Sequence, residues 1–266
     1  MKKVSRAGVF RIGLACFVLG AVFIRTAVAD EGGWQKVEGN MYNYADDLSR
    51  GADTPHYLSL HYRLRKAYFN IETHKADPIV FLGDSMTDEG HWHELFPKLN
   101  LVNRGIGGDT TAGVLNRIDQ VTKLAPPKIF LMIGTNDLCF NRQIPDIIKN
   151  YDEILSILHQ RLPNTKIYME SVLPFNDHIF PSVYLRTNEN IKTLNVGIKK
   201  LAQLHNDPYI DLTKYFSDED GRLPAEDTVD GLHLNEKGYV IWRDQIQKFE
   251  ANEKVVNLNS NKQAAT

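Results

Sequence analysis

Five short apolar runs, each too brief to make a helix, recur along this chain at intervals filled by segments of helical periodicity. Residues 79–82, 101–103, 128–133, 166–172 and 209–212 are rich in β-branched and aromatic side chains and read as strands. Between them, apolar residues recur at three- and four-residue spacing. Val114, Leu115, Ile118 and Val121 mark one helix. Pro145 opens a second that carries Ile147, Tyr151, Ile154, Leu155, Leu158 and Leu162, and Ile191, Leu194, Ile198, Leu201 and Ala202 mark a third. Asn235 reads as the cap of a last helix with Tyr239, Trp242, Ile246 and Phe249. Strict alternation of strand and helix predicts an α/β chain whose mainly parallel sheet is covered by helices on both faces. In such a sheet every strand ends at the same edge, and that edge is where ligands bind. The turns that follow the strands therefore carry the functional expectation.

The ends of the chain read differently. Lys2, Lys3, Arg6 and Arg11 precede a 13-residue apolar stretch, 12–24, and Ala27-Val28-Ala29 follows as a small-residue cleavage site before Asp30. Residues 1–29 are read as a signal peptide, and export to the periplasm or the medium is expected. The stretch falls short of the ~20 residues that span a bilayer, which ranks an uncleaved anchor second. Cleavage would remove five Lys/Arg and no acid, lowering the 31 basic residues to 26 against 33 acidic ones. A surface of formal charge −7 repels phosphate backbones and anionic headgroups, so no nucleic acid and no stable membrane association are expected. Only Cys139 would remain, too few for an internal disulfide, and it is read as a buried apolar residue. Residues 30–76 form an N-terminal extension without clear periodicity at first. Thr54 and Pro55 then look like the start of a packing helix that turns Leu60, Leu64, Ala67, Tyr68 and Ile71 inward. The main domain is placed at 77–250, and residues 251–266 are read as a disordered tail.

Acyl transfer needs a nucleophile, a base, a group to orient the base, and donors for the developing oxyanion. Each has a candidate in a turn at the sheet edge or in a late loop. Gly83-Asp84-Ser85 after the first strand offers the Ser85 hydroxyl. Asp230 and His233, three apart, let a carboxylate hold an imidazole in the tautomer that faces Ser85. Gly108, in the turn after the second strand, allows a backbone N–H to approach closely, and Asn136, after the third, supplies an amide beside the N–H of Ser85.

These residues carry a resemblance. Gly83-Asp84-Ser85-Met86, Gly107-Gly108-Asp109-Thr110, Gly134-Thr135-Asn136-Asp137 and Asp230-Gly231-Leu232-His233 resemble, in order, the four blocks of the SGNH hydrolases, or GDSL esterase/lipase family. Met86 stands where that family commonly has Leu, a volume-conserving change. The resemblance implies a flavodoxin-like three-layer α/β/α sandwich with a five-stranded sheet, and a serine esterase with Ser85, His233 and Asp230 as triad. Ser85, Gly108 and Asn136 would form the oxyanion hole. The stretch from Gly105 through Thr111 is similar to the platelet-activating-factor acetylhydrolase catalytic subunits and to bacterial carbohydrate O-acetylesterases, which implies a short acyl group on a small molecule or glycan. Other members accept long chains, so a lysophospholipase or thioesterase is the first alternative, and an O-acyltransferase or a non-catalytic glycan-binding protein follows. No cofactor and no metal are implied.

Competing motifs are weaker. A G-x-G-x-x-G loop would need Gly where Thr110 stands, and Thr87 replaces the last glycine of a G-x-S-x-G elbow. His91-Trp92-His93-Glu94 reads either as a polar loop beside the pocket or as a metal site, though no H-E-x-x-H accompanies it. His56 and His61 are read as surface residues; Asp84, Asp109 and Asp137 are read as braces of their own loops. The aromatic loop 173–184 either covers substrate or closes the edge of the core.

Overall fold

A computed structural model describes residues 14–18, 21–30, 33–40, 57 and 59–263, with side chains described within 57–249. The chain forms two compact units, Met1–Asn43 and Tyr44–Thr266. In the first, strands β1 (Leu14–Val18), β2 (Ala21–Asp30) and β3 (Gly33–Asn40) make an antiparallel meander. Its second ladder pairs Asp30 with Gly33 and Phe23 with Asn40. The segment read as a leader is thus strand-paired with the residues that follow the expected cleavage point.

The second unit contains the sheet. β4 (Ile79–Gly83), β5 (Leu101–Gly105), β6 (Lys128–Met132), β7 (Lys166–Glu170) and β8 (Tyr209–Ile210) lie in the order β5-β4-β6-β7-β8, every pair parallel. The chain starts in the middle and winds outward both ways, so the first strand, which leads into Ser85, is flanked by those leading to Gly108 and Asn136. Alternation along each strand sorts the core into two faces. Val80, Leu82, Ile129, Leu131, Ile167 and Met169 belong to one apolar cluster, together with helices α7 (Ile144–Arg161) and α8 (Asn188–His205). Phe81, Phe130 and Tyr168, directly opposite one another in register, stack in a row on the other face at 5.1 and 4.6 Å between ring centres. Trp92, in the short helix α3 (Trp92–Leu95), continues that row against Phe81 at 4.3 Å and meets Trp242 edge-on at 4.9 Å.

Helix α9 (Glu236–Gln263) supplies Trp242 and Ile246 to this second face. Asn235 caps it, its carboxamide oxygen accepting from the Gly238 N–H at 3.1 Å. The helix runs through Gln263, past the point near residue 250 where a disordered tail was expected; Ala, Glu, Lys and Gln in this stretch carry good helix propensity. Among the described residues no helix is long and apolar enough to cross a membrane.

Two expectations are corrected. Helix α1 is Leu60–Ile71, capped by Ser59; Thr54, Pro55 and His56 lie outside the described residues. Its inward face is the opposite of the one expected. Leu60, Leu64, Tyr68 and Ile71 are exposed, whereas Tyr62 and Phe69 are buried. The reason is that Phe69 packs against guanidinium groups, at 4.9 Å from Arg65, 4.6 Å from Arg104 and 5.8 Å from Arg117, so a polar and aromatic face wins over the aliphatic one. The helix expected around residues 114–121 is two short ones, α4 (Thr111–Asn116) and α5 (Ile118–Thr122), broken at Arg117. Val114, Ile118 and Val121 still face inward. Arg117 is buried there because its guanidinium pairs with Asp109 at 2.8 Å and donates to the Gly83 carbonyl at 3.1 Å.

Candidate active site

Strand β4 ends at Gly83, and the chain turns at once into the short helix α2 (Ser85–Asp88). Asp84 forces that turn: its carboxylate accepts from the Met86 N–H at 3.1 Å, which caps the helix and leaves Ser85 in its first turn. The turn is fastened from outside. Tyr239 donates to the Met86 carbonyl at 2.9 Å, and Trp92 and Asn103 both donate to the Thr87 carbonyl. Ser85 is buried but for 8% of its surface.

The strand-separated groups converge. His233 Nε2 lies 3.0 Å from Ser85 Oγ, and its Nδ1 lies 2.7 Å from Asp230 Oδ2. Oδ1 of the same carboxylate accepts the N–H groups of Leu232 and His233 at 2.9 and 2.8 Å. Burial pushes the Asp230 carboxyl up, but the hydrogen bonds and charge of His233, with the two N–H groups, outweigh it and bring it to about 2. Burial pushes His233 down, and the hydrogen bond to Asp230 with the charges of Glu89 and Asp230 reverses this, leaving the imidazole above its ordinary value. An ionised Asp230 only accepts, so Nδ1 carries the ring hydrogen and the Nε2 lone pair faces the serine.

Gly108 follows β5 with φ of +76°, a conformation that an L side chain adopts only under strain. Asn136 sits in α6 (Thr135–Cys139), the turn after β6; its amide donates to the Asp109 carbonyl at 3.0 Å, which joins the second and third turns. Asp109 accepts from Thr110 N–H at 2.9 Å besides pairing with Arg117. Asp137 reaches away from its own loop, to the N–H and hydroxyl of Thr111, the hydroxyl at 2.6 Å. Burial raises Asp137 to about 7 despite these bonds. Cys139 is fully buried and free, as read from the sequence.

The loop 173–184 does close the core's edge in part, with Phe175 buried, and it also braces the Asp230 turn. Asn176 N–H donates to the Gly231 carbonyl at 2.7 Å. Gly231 has φ of +94°, and a Cβ there would lie 2.9 Å from the Phe180 nitrogen, so the two loops meet backbone to backbone. Ile179 and Tyr184 are exposed. The His91 and Glu94 side chains are exposed too and pair at 3.6 Å.

Three participants escaped sequence reasoning. Glu89 is half-buried and one helical turn beyond Ser85, a spacing that places it on the serine's face; burial raises it, and His233 and Asp230 act on it electrostatically. Asp88 is buried between the first two turns, accepting from Gly107 N–H at 3.0 Å and from Arg65 at 2.5 Å. His61, expected at the surface, lies 3.9 Å from that same carboxylate. The first was legible from spacing alone; the other two needed the fold.

The sequence model of the GDSL-like lipase/acylhydrolase family matches residues 81–241, more than half of the chain. The chain belongs to that family. This GDSL-like acylhydrolase is accordingly a hydrolase of ester bonds. It is 29% identical over 192 residues to platelet-activating factor acetylhydrolase IB subunit alpha1 of Bos taurus, covering 69% of this chain and 77% of the relative. It is 31% identical over 172 residues to the alpha2 subunit of Homo sapiens, covering 62% and 72%. Among solved structures it resembles one from Streptococcus pneumonia described as a platelet activating factor, at 30% identity and a TM-score of 0.64, covering 70% of this chain and 89% of that one. A GDSL-like lipase from Bacteroides thetaiotaomicron shares the fold at 24% identity and a TM-score of 0.62, covering 72% and 98%.

Proposed function

We propose that this GDSL-like acylhydrolase is a serine esterase that works through Ser85, His233 and Asp230 and an acyl-enzyme. The observation that carries the reading is the unbroken relay from Asp230 through His233 to Ser85, with bonds of 2.7 and 3.0 Å. His233 takes the Ser85 proton as the oxygen attacks the ester carbonyl, and Asp230 stabilises the imidazolium without taking the proton. The developing oxyanion lies against the N–H groups of Ser85 and Gly108 and the amide of Asn136. The Ser85 N–H is available because the first turn of a helix has no i−4 carbonyl. His233 then protonates the departing alcohol; water, deprotonated by the same imidazole, frees the acid.

The favoured substrate is a short-acyl ester, acetyl foremost, of a small molecule or a glycan. Support comes from the relatives named acetylhydrolases at 29–31% identity. Export is part of the same proposal, on the basic start, apolar stretch and Ala27-Val28-Ala29. Hydrolysis of p-nitrophenyl acetate, butyrate, octanoate and palmitate beside Ser85→Ala tests the chemistry. Rates should fall steeply with chain length and vanish in the variant. A peak at octanoate or longer refutes the acetyl preference, and activity surviving in Ser85→Ala refutes the nucleophile. Amino-terminal sequencing of exported protein should begin at Asp30.

A further inference from the structure

The first helix of the second unit among the described residues, α1, lies outside the family match at 81–241 yet reaches into the turns around Ser85 and Gly108. Arg65, on this helix, donates to Asp88 Oδ1 at 2.5 Å and to the Gly105 carbonyl at 3.2 Å. Asp88 Oδ2 accepts the Gly107 N–H at 3.0 Å. On the far side of Gly108, Asp109 is held by Arg117 in a pair with both side chains fully buried. The residues before and after Gly108 are therefore each anchored by a buried carboxylate, Gly107 through its N–H to Asp88 and Asp109 through its own side chain, and each carboxylate is paired with an arginine.

Those arginines share one support. Arg65, Arg104 and Arg117 all lie within 6 Å of the Phe69 ring centre, and Arg104 is paired in turn with Glu72 of the same helix end. Arg65 Nε, Arg104 Nε and Arg117 Nη1 are buried with no hydrogen-bond partner among the described residues. The ring face they surround offers what compensation they have. Such an arrangement is costly for stability alone, since apolar residues would fill the space with no orphaned donors. It has a positional use. Gly107 and Gly108 have no side chains and weak backbone preferences, so the direction of the Gly108 N–H must be set by what grips its neighbours.

We propose that Arg65 and Phe69 of α1 are positioning residues for the oxyanion hole, acting through Asp88 on Gly107 to aim the Gly108 N–H. The inference rests on the reading of Gly108 as an oxyanion donor. It assigns to the helix before the family-matched region a part in the rate, exerted through Asp88 and Gly107.

The test uses the full chain with Arg65→Met, Arg65→Lys, Phe69→Leu and, as a control on the same helix, Lys66→Met, whose wild-type bonds go to Asn116. Each is measured for kcat and KM on p-nitrophenyl acetate, for inhibition by a trifluoromethyl ketone that forms a tetrahedral adduct with Ser85, and for melting temperature. An oxyanion donor acts in the transition state and matters little to the ground state, so Arg65→Met should lower kcat by roughly 10- to 100-fold, with KM changed by less than about twofold. Affinity for the ketone should fall by the same factor as kcat. Arg65→Lys should recover most of the loss, Phe69→Leu should fall between, and Lys66→Met should match wild type. Should Arg65→Met not fold, the lysine and leucine variants carry the comparison. A lowered melting temperature with kcat and ketone affinity unchanged, or equal effects from Lys66→Met, overturns the proposal. Ser85→Ala run beside them separates this failure from that of the reading beneath it: retained activity there refutes the nucleophile, and with it the site that the hole would serve.

Discussion

Glu170 ends strand β7 with 1% of its surface exposed, and the bond from Trp242 Nε1 to its Oε1, at 2.7 Å, is its anchor to α9. Burial raises this carboxyl from 4.5 to about 8, the Trp242 bond opposing it. The sign follows from where each state holds its proton. Below pH 4.5 both folded and unfolded chains are protonated and nothing is lost. Above it the unfolded chain releases its proton while the native chain keeps it, so stability falls as pH rises until the native group also ionises, near 8. Each pH unit in this window costs about 1.4 kcal/mol, or about 5 kcal/mol across it. Glu170→Gln keeps an acceptor for Trp242 and removes the proton from the balance. Urea unfolding of both proteins at pH 5.5 and 8.5, with a common slope, isolates the effect: any fixed cost of seating the amide cancels between the two pH values. The variant should gain about 3 kcal/mol relative to wild type between them. A gap constant to within about 0.5 kcal/mol would refute the argument, since the carboxyl would then titrate as in the unfolded chain.

Other outcomes follow from the site and core. Asp230→Asn should lower kcat by roughly 10³- to 10⁴-fold by freeing the imidazole to adopt the wrong tautomer, measured on p-nitrophenyl acetate; a loss under tenfold would rule out its orienting role. Because His233 must be neutral to act and its proton is held above the ordinary value, the acid limb of kcat/KM should lie above pH 6.5 in wild type; a limb at or below 6.5 contradicts the raised imidazole. Asn136→Ala should cost roughly 10²- to 10³-fold in kcat with a smaller change in KM; equal effects on both would place the amide in ground-state binding. Trp92→Ala removes a buried ring from the stack on Phe81 and should destabilise by about 3–5 kcal/mol in urea unfolding, with an unchanged slope.

The sheet was legible because each strand is a short run whose neighbours in sequence have a different period, and period is a local property. The four turns were legible for a related reason: Ser85, Gly108, Asn136 and the Asp230 to His233 pair each carry their chemistry in adjacent residues, and parallel strands deliver adjacent turns to one edge. What stayed hidden depends on partners far along the chain. An aliphatic stripe on α1 is the stronger local signal, yet Phe69 turns inward because Arg104 and Arg117, 35 and 48 positions later, wait to pack on its ring. Arg117 splits a helix of good periodicity for the same kind of reason, since Gly83 and Asp109 lie on other elements. Asn176 gave no signal at all: its contact with Gly231 joins two irregular loops.

The proposed nucleophile and hole follow three neighbouring strands of the sheet, but the proposed base does not. His233 hangs from a separate loop kept closed by an isolated bridge between Thr228 and Leu234 and by the Thr228 hydroxyl, which donates to the His233 carbonyl and accepts from the Gly231 N–H at 2.6 and 2.8 Å. Val229 beside it is 68% exposed. Such a loop opens at lower free energy than a sheet. On heating, then, the enzyme should lose proton transfer before it loses its shape: amide exchange at residues 228–234 would quicken, and turnover would fade, at temperatures where the ester still finds a folded hole to bind.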